Sequence, residues 1–342
     1  MQAGQDRTRE ARSRGARLGR LWAMRIHRSV LAAIVLPLAA GGMSWREALP
    51  LRTHPSATRD TKVTGFLGRP FGLHVTSTGS VLVTEQDINM LRSVDSLFSG
   101  TGWYEVGESP GDVVATRDGR TAYVSGFLDG SITIVPLNGD TVDNLVRLPT
   151  HNAYRLALSP NERRLFVTST DGRLYVFSTA ARTLATSKSL GGSLQGIALD
   201  HAGATVYVSS TAGDVWRLER GTLRSLRQTT VDCVAQDIAL SIDDRELYVA
   251  CEKGNVLVLD PRTLDQIAVI TSPPAFGLAV TPDNAQLYVS SPTDGLVSIV
   301  DRSTRTVVCR FAVKGAPRRI AFSPSGRRAY VTNDWNWLTI IE

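Results

Sequence analysis

The fold is indicated by the stretch RIAFSPSGRRAYVTN, which occupies residues 319–333. It joins a short apolar segment, a Ser-Pro turn and a second segment rich in β-branched and aromatic side chains, which is the pattern of a β-hairpin. The same succession occurs seven times along the chain. Its shared valine recurs at spacings of 40 to 43 residues, at Val83, Val124, Val167, Val208, Val249, Val289 and Val331.

Each repeat contains four short segments separated by turn residues. In the sixth repeat they cover residues 278–281, 286–291, 296–301 and 306–313. Four antiparallel strands repeated at this interval are typical of a β-propeller. The sequence therefore predicts an all-β fold, a seven-bladed β-propeller of four-stranded antiparallel blades. Because the last repeat has three such segments and residues 61–68 read as a fourth, we expect an N-terminal outer strand to close the ring in the last blade.

The charge of the chain is unevenly distributed. The chain has 38 basic and 32 acidic residues, and residues 1–44 contain eight arginines but only two acidic residues, Asp6 and Glu10. The rest of the chain therefore has 30 basic and 30 acidic residues and no net charge. A nucleic-acid or membrane surface would need clustered positive charge in the folded part. We therefore expect no nucleic-acid partner.

The N-terminal segment has the composition of an export signal. Basic residues precede the apolar run 30–43, and small residues follow. The run is shorter than the roughly 20 residues of a transmembrane helix and contains Pro37. We expect an export signal over residues 1–44 with translation starting at Met24, a linker over 45–60 and the propeller over 61–342. The protein is then periplasmic or extracellular, unless this segment stays uncleaved and anchors it to the membrane.

The repeats resemble those of the YVTN, or YncE-like, seven-bladed propellers, whose unit reads roughly PxGVAxSPDGxxxYVTN. Residues 323–326 (SPSG) and 330–333 (YVTN) carry the resemblance most clearly, and it extends over about residues 60–342. The resemblance implies the fold. It leaves the function open, since propellers of this shape include binding proteins, lactonases and lyases.

A binding site is expected where the repeats disagree. The residue just before the inner strand is glycine in three repeats and Asp112, Arg155, Asp237 or Arg319 in the other four. Further polar and aromatic residues are expected at the same channel mouth, namely Arg318, Tyr154, Phe276, Trp335 and Trp337. This pattern predicts a pocket whose arginines bind carboxylates of a ligand or partner. Alternatively, Asp112 pairs with Arg155 and Asp237 finds its own partner, which would merely neutralise the channel.

Cys233 and Cys251 fall at the same end of the fifth repeat. They either form a disulfide, which export would permit, or remain unlinked. With Cys309 they show no zinc-binding spacing, and we expect no metal and no cofactor. The chain also contains no HExxH or phosphate-loop motif.

Histidines offer the remaining catalytic candidates. His74 and His151 would have to converge with a carboxylate to act in acid-base chemistry, and we expect no catalytic residue. The sequence thus predicts an exported, non-catalytic scaffold that binds a protein or small molecule at the channel mouth. The alternative is a lactonase-like or lyase-like enzyme with a metal or acid-base site at the same mouth.

Overall fold

A computed structural model describes residues 60–63, 65–98, 100–139, 144–149 and 152–342. The predicted export signal, nearly all of the linker and His151 lie outside these residues. Within them, the only helical element is a 3₁₀ turn at Gln86–Ile88. No helix in this part of the chain has the length and apolar character needed to cross a membrane.

The described chain forms seven four-stranded antiparallel sheets, which confirms the predicted seven-bladed β-propeller. Strand β1 is Asp60–Val63. Blade 1 contains β2 (Pro70–Val75), β3 (Val81–Glu85), β4 (Met90–Val94) and β5 (Thr101–Glu105), and blade 2 contains β6 (Pro110–Ala115), β7 (Thr121–Gly126), β8 (Ser131–Pro136) and β9 (Asn144–Arg147). Blade 3 contains β10 (Ala153–Leu158), β11 (Arg164–Ser169), β12 (Arg173–Ser178) and β13 (Thr183–Ser189), and blade 4 contains β14 (Leu194–Leu199), β15 (Thr205–Ser210), β16 (Asp214–Glu219) and β17 (Ser225–Thr230).

The remaining blades follow the same plan. Blade 5 contains β18 (Ala235–Leu240), β19 (Leu247–Cys251), β20 (Val256–Leu259) and β21 (Gln266–Ile270), and blade 6 contains β22 (Leu278–Val280), β23 (Gln286–Ser291), β24 (Leu296–Asp301) and β25 (Thr306–Ala312). Blade 7 contains β26 (Pro317–Phe322), β27 (Ala329–Asn333) and β28 (Trp337–Ile341), with β1 as its fourth strand. Asp60 lies opposite Ile341 in this sheet, and Val63 lies opposite Leu338.

The first strands of successive blades contact one another in a closed ring, from β2 through β6, β10, β14, β18, β22 and β26 back to β2. They therefore surround the central axis. Each of these strands begins at one face of the wheel, which is also where the second strand of its blade ends. We call this face the mouth face.

Apolar side chains fill the spaces between blades. Among the described residues they form seven clusters, one between each pair of neighbouring blades. The cluster between blades 7 and 1 joins Leu73 and Val83 to Tyr330 and Leu338. Because both faces of a blade are covered, a middle strand such as β20 is apolar at every position rather than alternating. Burial of these faces is the main force that holds the ring together.

Hydroxyl groups add a second link between blades. A Ser or Thr follows the shared valine in six repeats, at Thr84, Ser125, Thr168, Ser209, Ser290 and Thr332. Each accepts a hydrogen bond of 2.7 to 3.1 Å from a backbone NH at one equivalent position near the start of the first strand of the same blade. Four of them also donate to a backbone carbonyl of the next blade, and the bond from Thr332 to the Phe71 oxygen (2.8 Å) connects blade 7 with blade 1. The threonine of the YVTN motif therefore links neighbouring blades at the rim of the channel.

Candidate functional site

The residues that differ between repeats lie together at the channel mouth. Asp112, Arg155, Asp237 and Arg319 occupy equivalent places in β6, β10, β18 and β26. In each of these strands the pairing with the second strand is interrupted by a β-bulge close to this place. A bulge breaks the alternation of side chains along a strand and re-aims one of them.

The four charged side chains form one connected network across the axis, which we call the channel lattice. Arg155 contacts Asp112 at 3.2 Å and Asp237 at 3.3 Å. Arg319 contacts the other oxygen of Asp237 at 3.0 Å. The lattice joins blades 2, 3, 5 and 7, and its two cations balance its two anions.

Backbone amides complete the coordination of both carboxylates. Asp112 accepts a hydrogen bond of 2.9 Å from the Leu156 NH, and Asp237 accepts one of 3.1 Å from the Ile238 NH. A further contact of 3.4 Å joins Asp237 to the Leu278 NH on blade 6. Buried charges require such partners, because their loss of hydration is otherwise uncompensated.

The channel lattice is almost completely removed from solvent. The side chains of Asp237 and Arg319 are 1% and 3% exposed, and that of Arg155 is 17% exposed. Burial raises the pKa of Asp112, and the neighbouring Arg155 and Arg319 oppose that rise. Burial by itself would lower the pKa of Arg155, but the carboxylates of Asp112 and Asp237 outweigh it, so this guanidinium stays charged.

Aromatic rings surround the Arg319 guanidinium. Its central carbon lies 4.9 Å from the ring centre of Phe276, 5.5 Å from that of Phe71 and 5.6 Å from that of Tyr154. The Tyr154 hydroxyl also accepts a hydrogen bond of 3.2 Å from Arg319. Phe71 contacts both Tyr154 and Phe276, with ring centres about 6 Å apart. Side chains of blades 1, 3, 6 and 7 thus meet across the axis.

Arg318 and the two tryptophans lie on the blade 7 side of the mouth. Arg318 donates two hydrogen bonds, of 2.7 and 2.8 Å, to one oxygen of Asp334 and lies 4.6 Å from the Phe276 ring centre. Trp335 is 66% exposed and contacts the half-buried Trp337 edge to face, with ring centres 6.0 Å apart. All three arginines proposed to bind carboxylates of a ligand are therefore already paired with carboxylates of the chain itself.

Blade 5 departs from the pattern of hydroxyl links. Ala250 stands where the other blades carry Ser or Thr, so Asp237 has no hydroxyl to receive its backbone NH. The same blade contains a disulfide between Cys233 and Cys251, whose Cα atoms are 5.5 Å apart. The disulfide joins the segment that leads into β18 to the end of β19. It restrains the strand that carries Asp237 where the hydroxyl link is missing.

Two exposed apolar residues of the mouth face were not predicted from sequence. Leu67 and Leu128 are 70% and 57% exposed. Leu67 lies in the segment before β2, and Leu128 lies in the turn between β7 and β8. Comparison of the repeats offered one signal, because Phe127-Leu128 precedes an Asp-Gly pair, whereas small or polar residues precede the corresponding pairs at Asp171 and Asp294.

Neither histidine in the described part of the chain contacts the channel lattice. His74 lies in β2, opposite Leu82 of β3, and burial lowers its pKa to about 4. His201 lies in a turn on the opposite face, where its ring contacts Asp244 at 2.7 Å. Among the described residues, no three His, Cys, Asp or Glu side chains converge as metal ligands would.

Comparison with known proteins supports the resemblance to YncE-like proteins. No protein-family model matches the chain. The uncharacterized protein YncE of Salmonella typhi and that of Salmonella typhimurium are each 27% identical to it over 153 residues. The aligned region covers 43% of this chain and 43% of each relative, so the match spans less than half of either protein.

Proposed function

We propose that this chain, a YncE-like seven-bladed β-propeller, is an exported scaffold that binds a protein partner through its mouth face. The observation that carries the proposal is the difference at the mouth between buried charged residues and exposed apolar ones. The charged residues of the channel lattice are buried and paired with one another, whereas large apolar side chains of the surrounding turns are exposed at Leu67, Leu128 and Trp335.

This combination favours surface recognition over binding within the channel. The rings of Phe71, Tyr154 and Phe276 and the Arg319 guanidinium already occupy the space around the axis. A partner would therefore rest on the turns above them. Exposed leucine and tryptophan side chains on turns held by a rigid ring of strands suit that task, because little conformational entropy is lost on binding. The basic and apolar N-terminal segment supports export.

In-cell photo-crosslinking tests the proposal directly. A photoreactive phenylalanine analogue would replace Leu128 or Trp335 on the mouth face, and Leu97 or Ile242 on the opposite face, where both side chains are also exposed. We expect crosslinks to a discrete partner from the two mouth positions only. Mass spectrometry of the same material identifies the partner and the mature N-terminus. Equal crosslinking from both faces, or none from the mouth, would refute the proposal.

A further inference from the structure

The mouth face carries a surplus of negative charge that its opposite face lacks. The segments that connect strands on the mouth face contain three basic residues, Arg69, Lys253 and Lys314, and eight acidic ones, Asp87, Glu108, Asp129, Asp171, Asp232, Glu252, Asp294 and Asp334. The described connecting segments of the opposite face, with the C-terminal residue, contain twelve basic and eleven acidic residues. An excess of negative charge on one face attracts positively charged partners to that face and repels negatively charged ones.

Arginines of the adjoining strands reduce this surplus without cancelling it, and one of them, Arg147, lies 3.7 Å from Asp129. Arg318 is bound to Asp334, and Arg155 and Arg319 are bound within the channel lattice. Asp129 is likewise held by its own turn, where it accepts hydrogen bonds from Ser131. The exposed carboxylates that remain include Glu108 and Asp87. Asp87 is 62% exposed and lies 3.7 Å from the partly exposed Arg69 guanidinium, a long surface pair that leaves its carboxylate accessible.

Asp87 and Glu108 lie beside the exposed leucines. The Leu67 NH bonds the Glu85 carboxylate at 2.7 Å, two residues before Asp87. The Leu128 NH bonds the Glu108 carbonyl at 3.1 Å.

The same surface is continuous between these two pairs. The turn that carries Asp87 reaches the segment that carries Glu108 through a bond of 2.8 Å from the Ser109 NH to the Asn89 side chain. Leu67, Asp87, Glu108 and Leu128 therefore belong to one run of contacting loops on blades 1 and 2, which we call the rim patch.

We propose that the rim patch binds a basic segment of the partner protein, with an aliphatic or aromatic side chain over Leu67 and Leu128 and lysine or arginine beside Asp87 and Glu108. This inference rests on the proposed function and specifies the chemistry of the partner. The proposed partner has the opposite charge to the one expected from the sequence, because here carboxylates of the mouth bind cationic side chains, whereas the sequence predicted arginines that bind carboxylates. The apolar pair supplies the area removed from water, and the carboxylates supply orientation and select against acidic or anionic surfaces.

Binding of synthetic peptides to the full chain tests the proposal. The probes are a fluorescein-labelled peptide of lysine and leucine and its counterpart with glutamate for every lysine, and the readout is fluorescence anisotropy. We expect the lysine peptide to bind at least about tenfold more tightly at low salt, and its affinity to fall as salt screens the exposed charges. Equal affinity for the two peptides would overturn the proposal.

Matched variants localise the effect. Asp87→Asn with Glu108→Gln should weaken binding of the lysine peptide by about tenfold, whereas Asp118→Asn with Glu162→Gln on the opposite face should change it less than about twofold. An equal loss from both pairs would mean that the peptide responds to net charge alone, which contradicts the rim patch.

The apolar half of the rim patch has its own pair of variants. Leu67→Ser with Leu128→Ser should weaken binding even at high salt, because burial of apolar area is not screened by ions. Leu97→Ser with Ile242→Ser is the control, since those side chains are exposed on the opposite face. Equal effects would refute the rim patch as the contact.

The crosslinking experiment separates this inference from the proposed function. A partner captured at Leu128 through a segment without lysine or arginine would overturn the basic-segment proposal and leave the mouth face as a binding surface. The absence of any partner from the mouth face would remove both.

Discussion

Replacing Asp237 by asparagine should destabilise the whole ring. Its carboxylate is 1% exposed and contacts Arg155 at 3.3 Å and Arg319 at 3.0 Å, so the change leaves the buried Arg319 cation without a carboxylate. Breaking a buried pair by removing one partner costs about 3–5 kcal/mol. For a domain of this size that corresponds to a fall in Tm of roughly 6–10 °C.

Thermal unfolding followed by circular dichroism measures the effect. Glu342→Gln is the control, because the Glu342 carboxylate contacts Arg328 at 2.6 Å in a pair whose side chains are 46% and 37% exposed. An exposed pair of this kind contributes about 0–1 kcal/mol. If Asp237→Asn shifts Tm no more than this control does, the channel lattice does not stabilise the fold.

A second substitution identifies the cause of the loss. Arg319→Met should restore part of the stability of Asp237→Asn, because an apolar side chain of similar length would lie among the rings of Phe71, Tyr154 and Phe276. The two single variants and the double variant form a cycle that yields the coupling energy. If the losses of stability in the two single variants simply add in the double variant, the destabilisation by Asp237→Asn does not arise from leaving the Arg319 charge unpaired.

Three further changes have definite expected outcomes. Gly277→Ala would place a Cβ 2.2 Å from the Arg318 carbonyl oxygen of the next blade and should lower the free energy of unfolding by about 1–3 kcal/mol. Gly221→Ala, whose Cβ would meet no atom within 4 Å, should leave stability unchanged, and equal losses in thermal unfolding would contradict a close contact between the blades. Burial lowers the pKa of His74 from 6.5 to about 4, so between these pH values the unfolded chain binds a proton that the folded protein does not. The free energy of unfolding, measured by urea titration, should therefore fall by up to about 3 kcal/mol as the pH drops from 6.5 to 4. His74→Ala should make this dependence of stability on pH less steep. A dithiol should lower the Tm of the protein by breaking the disulfide between Cys233 and Cys251, which closes a loop of 18 residues and contributes about 3 kcal/mol of stability. The Tm of a Cys233→Ala, Cys251→Ala variant should not change, and an equal shift in both proteins would exclude the disulfide as the target of the dithiol.

The fold could be predicted from the sequence because every blade repeats the same local chemistry. In blade 6, strands were expected at 278–281, 286–291, 296–301 and 306–313. Both boundaries of the second and third strands agree with the structure, and the first and fourth strands start where expected but end one residue earlier. Turn residues and β-branched segments act over a few positions, so seven copies of a weak signal reinforce one another.

The candidate site was less predictable because its contacts join residues far apart in the sequence. Comparison of repeats located the charged positions at the mouth but could not tell that Arg155 spans from Asp112 on blade 2 to Asp237 on blade 5. That choice depends on the width of the channel and on the rotation between blades. The exposure of Leu67 and Leu128 was equally hidden, since apolar residues in loops more often pack against their own blade.

The pairing of β1 with β28 fixes the order of events during synthesis. Asp60 pairs with Ile341, so the ring cannot close until β28 has been synthesised. At about 5–20 residues per second, roughly 15–60 s separate the emergence of the two strands from the ribosome. During that time β1 has no partner strand, and its unpaired backbone groups are open to pairing with other chains.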